Sequence, residues 1–216
     1  MKDKQTYLTK GSFALLLFVI LGYVVKFYPE QLIPFDSSIQ TAIRGDLPAI
    51  LTTIFRGITR LIDLPIVISW AILLTAIFYL KKWKSESLLV AGNLSLAGIL
   101  IVSLKHLYQR PRPEILHLVE EEGFSFPSGH SLAVTILIGS LIIIVGQRVK
   151  DRTVRLILQI LLGIYLVSVI ISRVYLGVHY PSDVLASLCL GLGILFIEFP
   201  FYDKLRFQWR FTGKQK

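Results

Sequence analysis

The sequence is poor in charged residues, which make up 17% of its 216 positions. A soluble globular domain carries about 25%, whereas here 54% of residues are hydrophobic and the mean hydropathy is +0.66. This shortage of charge indicates that lipid surrounds much of the chain. Cysteine is almost absent: Cys189 has no second cysteine to pair with, which excludes an intramolecular disulfide and leaves it as a packing residue of an apolar run.

Acidic residues are scarcer than basic ones, 14 against 23, and the net charge is +9. In a soluble protein this excess would favour nucleic-acid binding. Here the basic residues cluster at the ends of apolar runs, which is how membrane topology is fixed. We therefore expect a lipid bilayer, and no nucleic acid, as the partner of this chain.

Six apolar runs are long enough for helices that cross a bilayer, which takes roughly 17–25 residues. They are Gly11–Tyr28, Leu61–Leu80, Ser87–Tyr108, His130–Gly146, Leu156–Leu176 and Asp183–Phe201. No convincing cleavage site of small residues follows the first run, so we predict an uncleaved first span. One bundle of this size would use the whole length, which predicts a single domain over residues 1–216.

Residues 36–60 form neither a clean span nor a clean loop. Apolar residues recur there every three or four positions, which indicates one face of a helix, and Pro48 is expected to break the segment in two. We predict short amphipathic helices on the outer interface, between the first and second spans. They either pack against the bundle or shape the entry of a lipid. The fold class that follows is an all-α, polytopic membrane protein with six transmembrane helices.

Basic residues indicate which ends of the spans face the cytoplasm. They precede the first span, follow the second, join the fourth to the fifth and follow the sixth, and the positive-inside rule then places both termini in the cytoplasm. These residues are Lys2, Lys4, Lys10, Lys81, Lys82, Lys84, Arg148, Lys150, Arg152, Arg155, Lys204, Arg206, Arg210, Lys214 and Lys216. We expect a multi-pass protein of a bacterial plasma membrane, with segments 29–60, 109–129 and 177–182 on the outer face.

Three polar clusters, at residues 105–113, 126–130 and 172–183, all fall on that outer face. Each alone has an ordinary structural explanation: an interface anchor, a capped helix start, and a His–Asp pair that joins helix ends. Charged groups at membrane depth are costly, however, and usually mark a functional site. Since helices three to six each bring polar groups to one membrane face, we interpret the clusters as one site.

The clusters supply the parts of an anion site. Lys105, Arg112 and Arg173 provide three cations near helix ends. Ser128 is a candidate N-cap, and Gly129 after it would let an anion approach the free N–H groups of the helix N-terminus. Three cations and backbone N–H groups can stabilise the charge on a phosphoryl group during in-line transfer.

Two histidines add acid–base and nucleophilic chemistry. Asp183 follows His179 by four residues, so its carboxylate can hold one imidazole nitrogen and leave the other as a neutral nucleophile. His130 opens a helix and can donate a proton to a bound anion. A metal site would need ligands such as His106 and His117 beside these groups, but only Asp183 is well placed and the cations would repel a dication. We therefore expect no metal and no cofactor.

In order and spacing, the clusters resemble the signature of the type 2 phosphatidic-acid phosphatase superfamily of membrane lipid phosphatases. Its blocks K-x6-R-P, P-S-G-H and S-R-x5-H-x3-D stand here as residues 105–113, 127–130 and 172–183. Vanadium-dependent haloperoxidases share these blocks on a soluble fold, and the six spans argue against that branch. The three spaced blocks together are far more specific than any one of them.

The resemblance implies a role for each matching residue. His179 would attack phosphorus and form a phosphohistidine, Asp183 would orient it, and His130 would protonate the leaving oxygen. The residues implied in phosphate binding are Lys105, Arg112, Ser128, Gly129 and Arg173. The family is metal-independent, which agrees with the expectation from charge.

Several residues near the clusters lie outside the signature. Arg110 either contacts a lipid head group or anchors the third span, and His106 and His117 are interpreted as surface or interface residues. The run Glu120–Glu122 is either a solvated loop or a gate over the cationic pocket.

The resemblance predicts an enzyme that hydrolyses a lipid phosphate at the outer face, with the lipid entering sideways from the bilayer. The compact layout resembles both phosphatidylglycerophosphate phosphatases and undecaprenyl pyrophosphate phosphatases. We predict phosphatidylglycerophosphate as the substrate, although no residue decides this and the motifs recognise the phosphate and not the tail. Undecaprenyl pyrophosphate, phosphatidic acid and diacylglycerol pyrophosphate stay open as alternatives. A lipid phosphotransferase or a transporter is the alternative from a different class. We expect no obligate protein partner.

Overall fold

The computed structural model describes residues 3–215, and within them every regular element is a helix. Lys2 and Lys216, two of the predicted cytoplasmic charges, lie outside the described residues. A short 3₁₀ helix, Pro29–Leu32, precedes α2. The α-helices are α1 Lys4–Phe27, α2 Ile33–Arg44, α3 Ala49–Arg60, α4 Leu64–Leu80, α5 Lys84–Tyr108, α6 Gly129–Arg148, α7 Arg152–Tyr175 and α8 Pro181–Phe211.

Five of these helices, α1, α5, α6, α7 and α8, are each long and apolar enough to cross a membrane. A sixth span results when α3 and α4, which meet at a bend of 47°, are taken together. The predicted all-α membrane fold is therefore confirmed. Several helices exceed the predicted spans: α1 begins at Lys4 instead of Gly11, and α8 ends at Phe211 instead of Phe201. A helix satisfies its own backbone hydrogen bonds, so it can continue beyond the apolar run.

Helix α6 lies at the centre of the bundle, where it packs against α5, α7 and α8. Most of its side chains between Ser131 and Ile144 are buried. Helix α8 packs along α1 on its other side. Small residues allow these close approaches: a Cβ on Gly191 would lie 2.6 Å from Thr135 Cγ2 of α6, and one on Gly193 would lie 2.6 Å from Leu15 Cδ2 of α1.

Helices α2 and α3 are the predicted amphipathic pair, and Pro48 immediately precedes α3. They pack against the bundle, which is the first of the two alternatives above. The Thr52 hydroxyl lies 3.0 Å from the Tyr175 hydroxyl of α7, and the Phe55 and Tyr175 rings are 4.8 Å apart. Arg44 donates to the carbonyl oxygens of Tyr175 and Leu116. The pair therefore braces α7 and the loop 109–128.

The two ends of the bundle differ in chemistry. At one end Arg148 pairs with Glu86 and lies over the Trp83 ring, 4.4 Å from its centroid, and Lys4 lies over the Phe201 ring. Helix α5 starts at this basic end, and 25 residues at about 1.5 Å per residue are enough to cross the hydrocarbon core. At its far end lie all three polar clusters. The described basic residues of the predicted cytoplasmic segments therefore lie at the end opposite the clusters.

The contact at Gly191 provides a test of the α6–α8 packing. In Gly191→Leu, the new side chain would clash with Thr135, which is stiff because it is β-branched, and we expect a loss of about 1–3 kcal/mol in unfolding free energy. Thermal unfolding in detergent, followed by tryptophan fluorescence, would measure this loss as a lower midpoint. Gly163→Leu is the matched control, since nothing lies within 4 Å of a Cβ there. An equal midpoint in the two variants would contradict the packing described here.

Candidate active site

His179 lies in the turn between α7 and α8, and only 1% of it is exposed. The turn passes through Gly177, whose φ of +81° is in the left-handed region that favours glycine. A Cβ at this position would also lie 2.6 Å from the Leu116 carbonyl oxygen of the loop 109–128. The glycine thus lets the chain turn sharply under that loop and place the imidazole inside the protein.

The two nitrogens of His179 face different groups. Nε2 lies 3.5 Å from Nη1 of Arg112. Nδ1 lies 3.5 Å from Oδ2 of Asp183, close enough for attraction but without good hydrogen-bond geometry. Burial lowers the pKa of His179 to about 4, against the opposing effect of Asp183. The imidazole is therefore neutral at neutral pH, with Asp183 on the side away from Arg112.

His130, at the start of α6, has its own carboxylate partner. Its Nε2 lies 2.9 Å from Oδ1 of Asp63. Asp63 occupies the N-cap position of α4 but makes no side-chain capping bond, because its carboxylate turns to the histidine instead. The other nitrogen, Nδ1, lies 3.8 Å from Oε1 of Glu121. Sequence reasoning missed Asp63, which lies within the predicted span Leu61–Leu80 and was given no role.

The carboxylate of Glu121 joins the predicted cations. It forms a very short ion pair with Arg173 and lies 3.4 Å from Nη2 of Arg112. Burial raises the pKa of Glu121, but Arg173 and His130 outweigh this effect and the net pKa is below the usual value. Glu121 is therefore ionised, and it turns into the cationic pocket. At Glu121 the acidic run is therefore more than a solvated loop, and its role as a gate stays a prediction.

The arginines are also fixed from behind. Nη1 of Arg173 donates to Oγ1 of Thr59 on α3 at 2.9 Å, and Nη1 of Arg112 donates to the Val178 carbonyl oxygen at 2.8 Å. Burial lowers the pKa of Arg112, while Glu121 and Asp183 raise it. Both guanidinium groups are thus oriented before any ligand binds, which reduces the reorganisation that anion binding requires.

Lys105 and the turn before α6 complete the predicted set. Lys105 lies near Glu121, Asp183 and the two arginines, with which it interacts electrostatically. The Ser128 hydroxyl caps α6, accepting from the Ser131 N–H at 3.4 Å and donating to the Ser131 hydroxyl at 2.9 Å. At Gly129, the atom nearest to a built Cβ is 3.5 Å away, on Ile101. All eight predicted site residues therefore lie around one pocket or in the turn that borders it.

Arg110, whose role the sequence left open, also belongs to this region. Its Nη1 lies 2.5 Å from Oδ1 of Asp183, and its Nη2 lies 2.8 Å from Oδ2 of Asp36 on α2. Sequence reasoning missed Asp36, because it used only the apolar stripe of the segment and gave this polar side chain no part in the site. In α2 the buried side chains are instead Asp36 and Gln40. The sequence signal for this buried polar face is the four-residue spacing of Asp36 and Gln40, which places both side chains on one side of the helix.

The remaining histidines contact backbone carbonyl oxygens of their own segments. Nδ1 of His106 lies 2.8 Å from the Val102 carbonyl oxygen, and Nε2 of His117 lies 2.9 Å from the Pro113 carbonyl oxygen. Within residues 3–215, no three His, Cys, Asp or Glu side chains are grouped as metal ligands would be. Independence from metal stays a prediction that an assay must test.

A groove of ≈ 930 Å³ leads away from the site between α4 and α5. His130, Lys105 and Glu121 line its head, and apolar residues such as Ile68 and Ile72 line its middle. It extends to Tyr79 and Ser87, near the basic end of the bundle. A long apolar groove with polar groups at one end has the shape and chemistry of a site for an amphipathic molecule.

Comparison with known proteins identifies the family. The sequence pattern described as PAP2 superfamily matches residues 86–207, more than half of the chain. Phosphatidylglycerophosphatase B of Bacillus subtilis (strain 168) is 32% identical over 159 residues, which cover 72% of this chain and 77% of that protein. Undecaprenyl-diphosphatase BcrC of the same organism is 33% identical over 150 residues, covering 65% of this chain and 71% of that protein.

A solved structure shares the fold as well. The crystal structure of a transmembrane PAP2-type phosphatidylglycerolphosphate phosphatase from Bacillus subtilis superposes with a TM-score of 0.81 at 28% identity, covering 91% of this chain and 97% of that one. Sequence pattern, relatives and fold agree with the three motif blocks. This chain belongs to the PAP2 superfamily and is one of its membrane-spanning lipid phosphatases.

Proposed function

We propose that this membrane lipid phosphatase hydrolyses phosphatidylglycerophosphate to phosphatidylglycerol through a phosphohistidine. One observation carries the proposal: two histidines and three cations converge at the head of an apolar groove between α4 and α5. The head suits a phosphate and the groove suits an acyl chain. The whole chain acts as a single domain, with the bilayer and the lipid as its partners.

The substrate phosphate would take the place of the Glu121 carboxylate. That carboxylate already bridges Arg173 and Arg112 and lies 3.8 Å from Nδ1 of His130. A phosphomonoester carries a charge of about −1.5 to −2 near pH 7, so it would compete well for cations now shared by a single negative charge. Lys105 and the N–H groups at the start of α6 would hold the remaining oxygens. In this role Glu121 is a gate that the substrate displaces.

The reaction then proceeds in two steps. Nε2 of neutral His179 attacks phosphorus while the ester P–O bond breaks, and protonated His130 gives its proton to the departing oxygen. Neutral His130 next takes a proton from water, whose oxygen attacks phosphorus and breaks the P–N bond. Phosphate leaves, and both histidines return to their starting states. Asp183 and Asp63 would stabilise the positive charge that each imidazole carries in turn.

The choice of substrate rests on similarity. The protein whose structure superposes over 91% of this chain is called a phosphatidylglycerolphosphate phosphatase. Undecaprenyl pyrophosphate is the second candidate, because a relative of comparable identity, 33%, is called an undecaprenyl-diphosphatase. Both substrates have a phosphate head and an apolar tail, so the groove accepts either class. Phosphatidic acid and diacylglycerol pyrophosphate fit by the same reasoning.

We further propose that both termini are cytoplasmic and that the site is on the extracellular face of a bacterial plasma membrane. Support comes from the separation of charge along the bundle. Arg148 and Lys4 lie at the end opposite the histidines, together with most of the basic loop residues. The positive-inside rule assigns that end to the cytoplasm.

Phosphate release by the purified protein in detergent tests the substrate. We expect release from phosphatidylglycerophosphate to be fastest, ahead of undecaprenyl pyrophosphate and phosphatidic acid, and to persist with EDTA because the cationic pocket would supply the charge that a metal supplies elsewhere. Faster release from undecaprenyl pyrophosphate would establish the second candidate. If the lipids lose phosphate only when an acceptor alcohol is added, the protein is a phosphotransferase. If they lose none even with the acceptor present, a transporter is favoured.

A burst experiment tests the roles of the two histidines. A nitrophenyl phosphate with an alkyl chain has a leaving group that needs no protonation, so His130→Ala should release about one nitrophenolate per enzyme and then stall at the phosphohistidine. His179→Ala should show no burst and lose about 10³-fold or more in turnover. His117→Ala, at a histidine outside the site, is the control and should retain normal turnover. A burst in His179→Ala would exclude this residue as the nucleophile.

Cysteine labelling tests the orientation. Glu120 lies exposed on the loop 109–128, and Lys150 lies exposed between α6 and α7. In a Cys189→Ser background, a membrane-impermeant maleimide should label Glu120→Cys in intact cells, and Lys150→Cys only after permeabilisation, because charged reagents do not cross the bilayer. The reverse pattern would place the site in the cytoplasm.

A further inference from the structure

Arg110 is buried behind the nucleophile and faces away from the phosphate pocket. Only 8% of its surface is exposed, although it lies outside the K-x6-R-P block. Nη1 donates to Asp183 Oδ1 at 2.5 Å and to Ser182 Oγ at 2.7 Å, and the guanidinium lies 3.9 Å from the centroid of the Tyr180 ring. Every one of these contacts is to the turn and first residues of α8, directly after His179. A head-group contact or a simple anchor does not account for this arrangement.

The carboxylate of Asp183 is held at both oxygens. Arg110 binds Oδ1, while the Tyr180 N–H donates to Oδ2 at 3.0 Å. Oδ2 is also the oxygen that lies 3.5 Å from Nδ1 of His179. The direction in which Asp183 presents Oδ2 to the histidine is therefore set by Arg110 on one side and by the backbone on the other.

Asp36 of α2 holds Arg110 in turn. Its Oδ2 accepts from Arg110 Nη2 at 2.8 Å, and its Oδ1 accepts from the Ser182 N–H at 2.8 Å. The Ser182 hydroxyl donates to Asp36 Oδ2 at 2.8 Å. Asp36 is 3% exposed, and Ser182 and Asp183 are fully buried. A buried network in which each polar group has a partner holds its members rigidly.

We propose that Arg110, held by Asp36 of the interfacial helix α2, is a positioning residue that fixes Asp183 and thereby the nucleophile His179. The proposal rests on the proposed function, in which His179 attacks phosphorus. It also gives α2 a part in catalysis from outside the substrate path. Arg110 itself touches neither His179 nor the cations that would bind phosphate.

Charge gives Arg110 a second effect on the same histidine. Its positive charge compensates the Asp183 carboxylate, which would otherwise attract a proton onto His179 more strongly. Several other charged groups also act on His179, and they stay in place when Arg110 is changed. They are Arg112 and Glu121 of the loop 109–128 and Arg173 of α7. Loss of Arg110 should therefore raise the pKa of His179 from its value of about 4 toward the ordinary value of about 6.5.

Two variants separate charge from geometry. Arg110→Gln removes the charge, and we expect kcat to fall about 10- to 100-fold, by analogy with the loss of groups that orient metal-binding histidines. KM should stay nearly unchanged, because the phosphate pocket is intact. Arg110→Lys keeps the charge but lacks the planar fork that orients both carboxylates. Its kcat should therefore fall less, and the protonation of His179 should stay as in the parent protein.

The titration of His179 is read by NMR of protein labelled with ¹⁵N-histidine in detergent, with His179→Asn to assign the signal. In Arg110→Gln the midpoint should move to higher pH. Arg44→Gln is the matched control: Arg44 also ties α2 to the site end, through the Tyr175 and Leu116 carbonyl oxygens, but binds no residue of the network. This control should leave the midpoint and kcat unchanged.

The outcomes are distinct. A raised midpoint together with a lower kcat at constant KM supports the proposal. Unchanged kcat in both Arg110 variants overturns the proposal. It is also overturned if kcat falls in Arg110→Gln while the His179 midpoint does not move and kcat falls equally in Arg44→Gln. If Arg110→Gln does not fold, normal kcat in Arg110→Lys alone overturns the positioning role. Failure of the proposed function itself would appear separately, as normal turnover in His179→Ala.

Discussion

The need to give buried arginines a counter-charge organises the whole site end of this protein. An ion removed from water without a partner costs several kcal/mol, even after the surroundings relax. Every arginine of the site has a carboxylate beside it, and these carboxylates come from α2, the loop 109–128 and α8. Arg110 pairs with Asp36 and Asp183, whereas Arg112 and Arg173 share Glu121. The pairing therefore ties α2 and the loop 109–128 to α7 and α8 of the bundle.

The same pairing leaves the site prepared for an anion. One carboxylate, Glu121, bridges two guanidinium groups that the protein orients from behind, so a phosphate entering there finds its binding groups already in place. The two histidines have the same arrangement of partners. Each has an aspartate near one nitrogen, Asp183 for His179 and Asp63 for His130, and directs the other nitrogen towards the pocket.

The amphipathic pair α2 and α3 shows what the hydrophobic pattern leaves undecided. In a water-soluble protein the apolar stripe of a helix faces the core. Here Ile50 and Ile54 of α3 are exposed, and Thr52 and Thr59 of the same helix are buried. Because the surrounding solvent is lipid and the site end of the bundle is polar, the helix turns its polar face inward. The pattern predicts the amphipathic pair, but it does not predict that the polar face holds residues that support the site.

Apolar run length and motif spacing are local properties of the chain, so the sequence alone predicts the spans and the family and names eight candidate site residues. Which charged side chains form ion pairs, in contrast, depends on the tertiary structure. Glu121 reaches Arg173 across 52 positions, His130 reaches Asp63 across 67, and Arg110 reaches Asp36 across 74. Such pairs depend on how α2, α4 and the loop 109–128 dock on the bundle, and no local pattern encodes that docking.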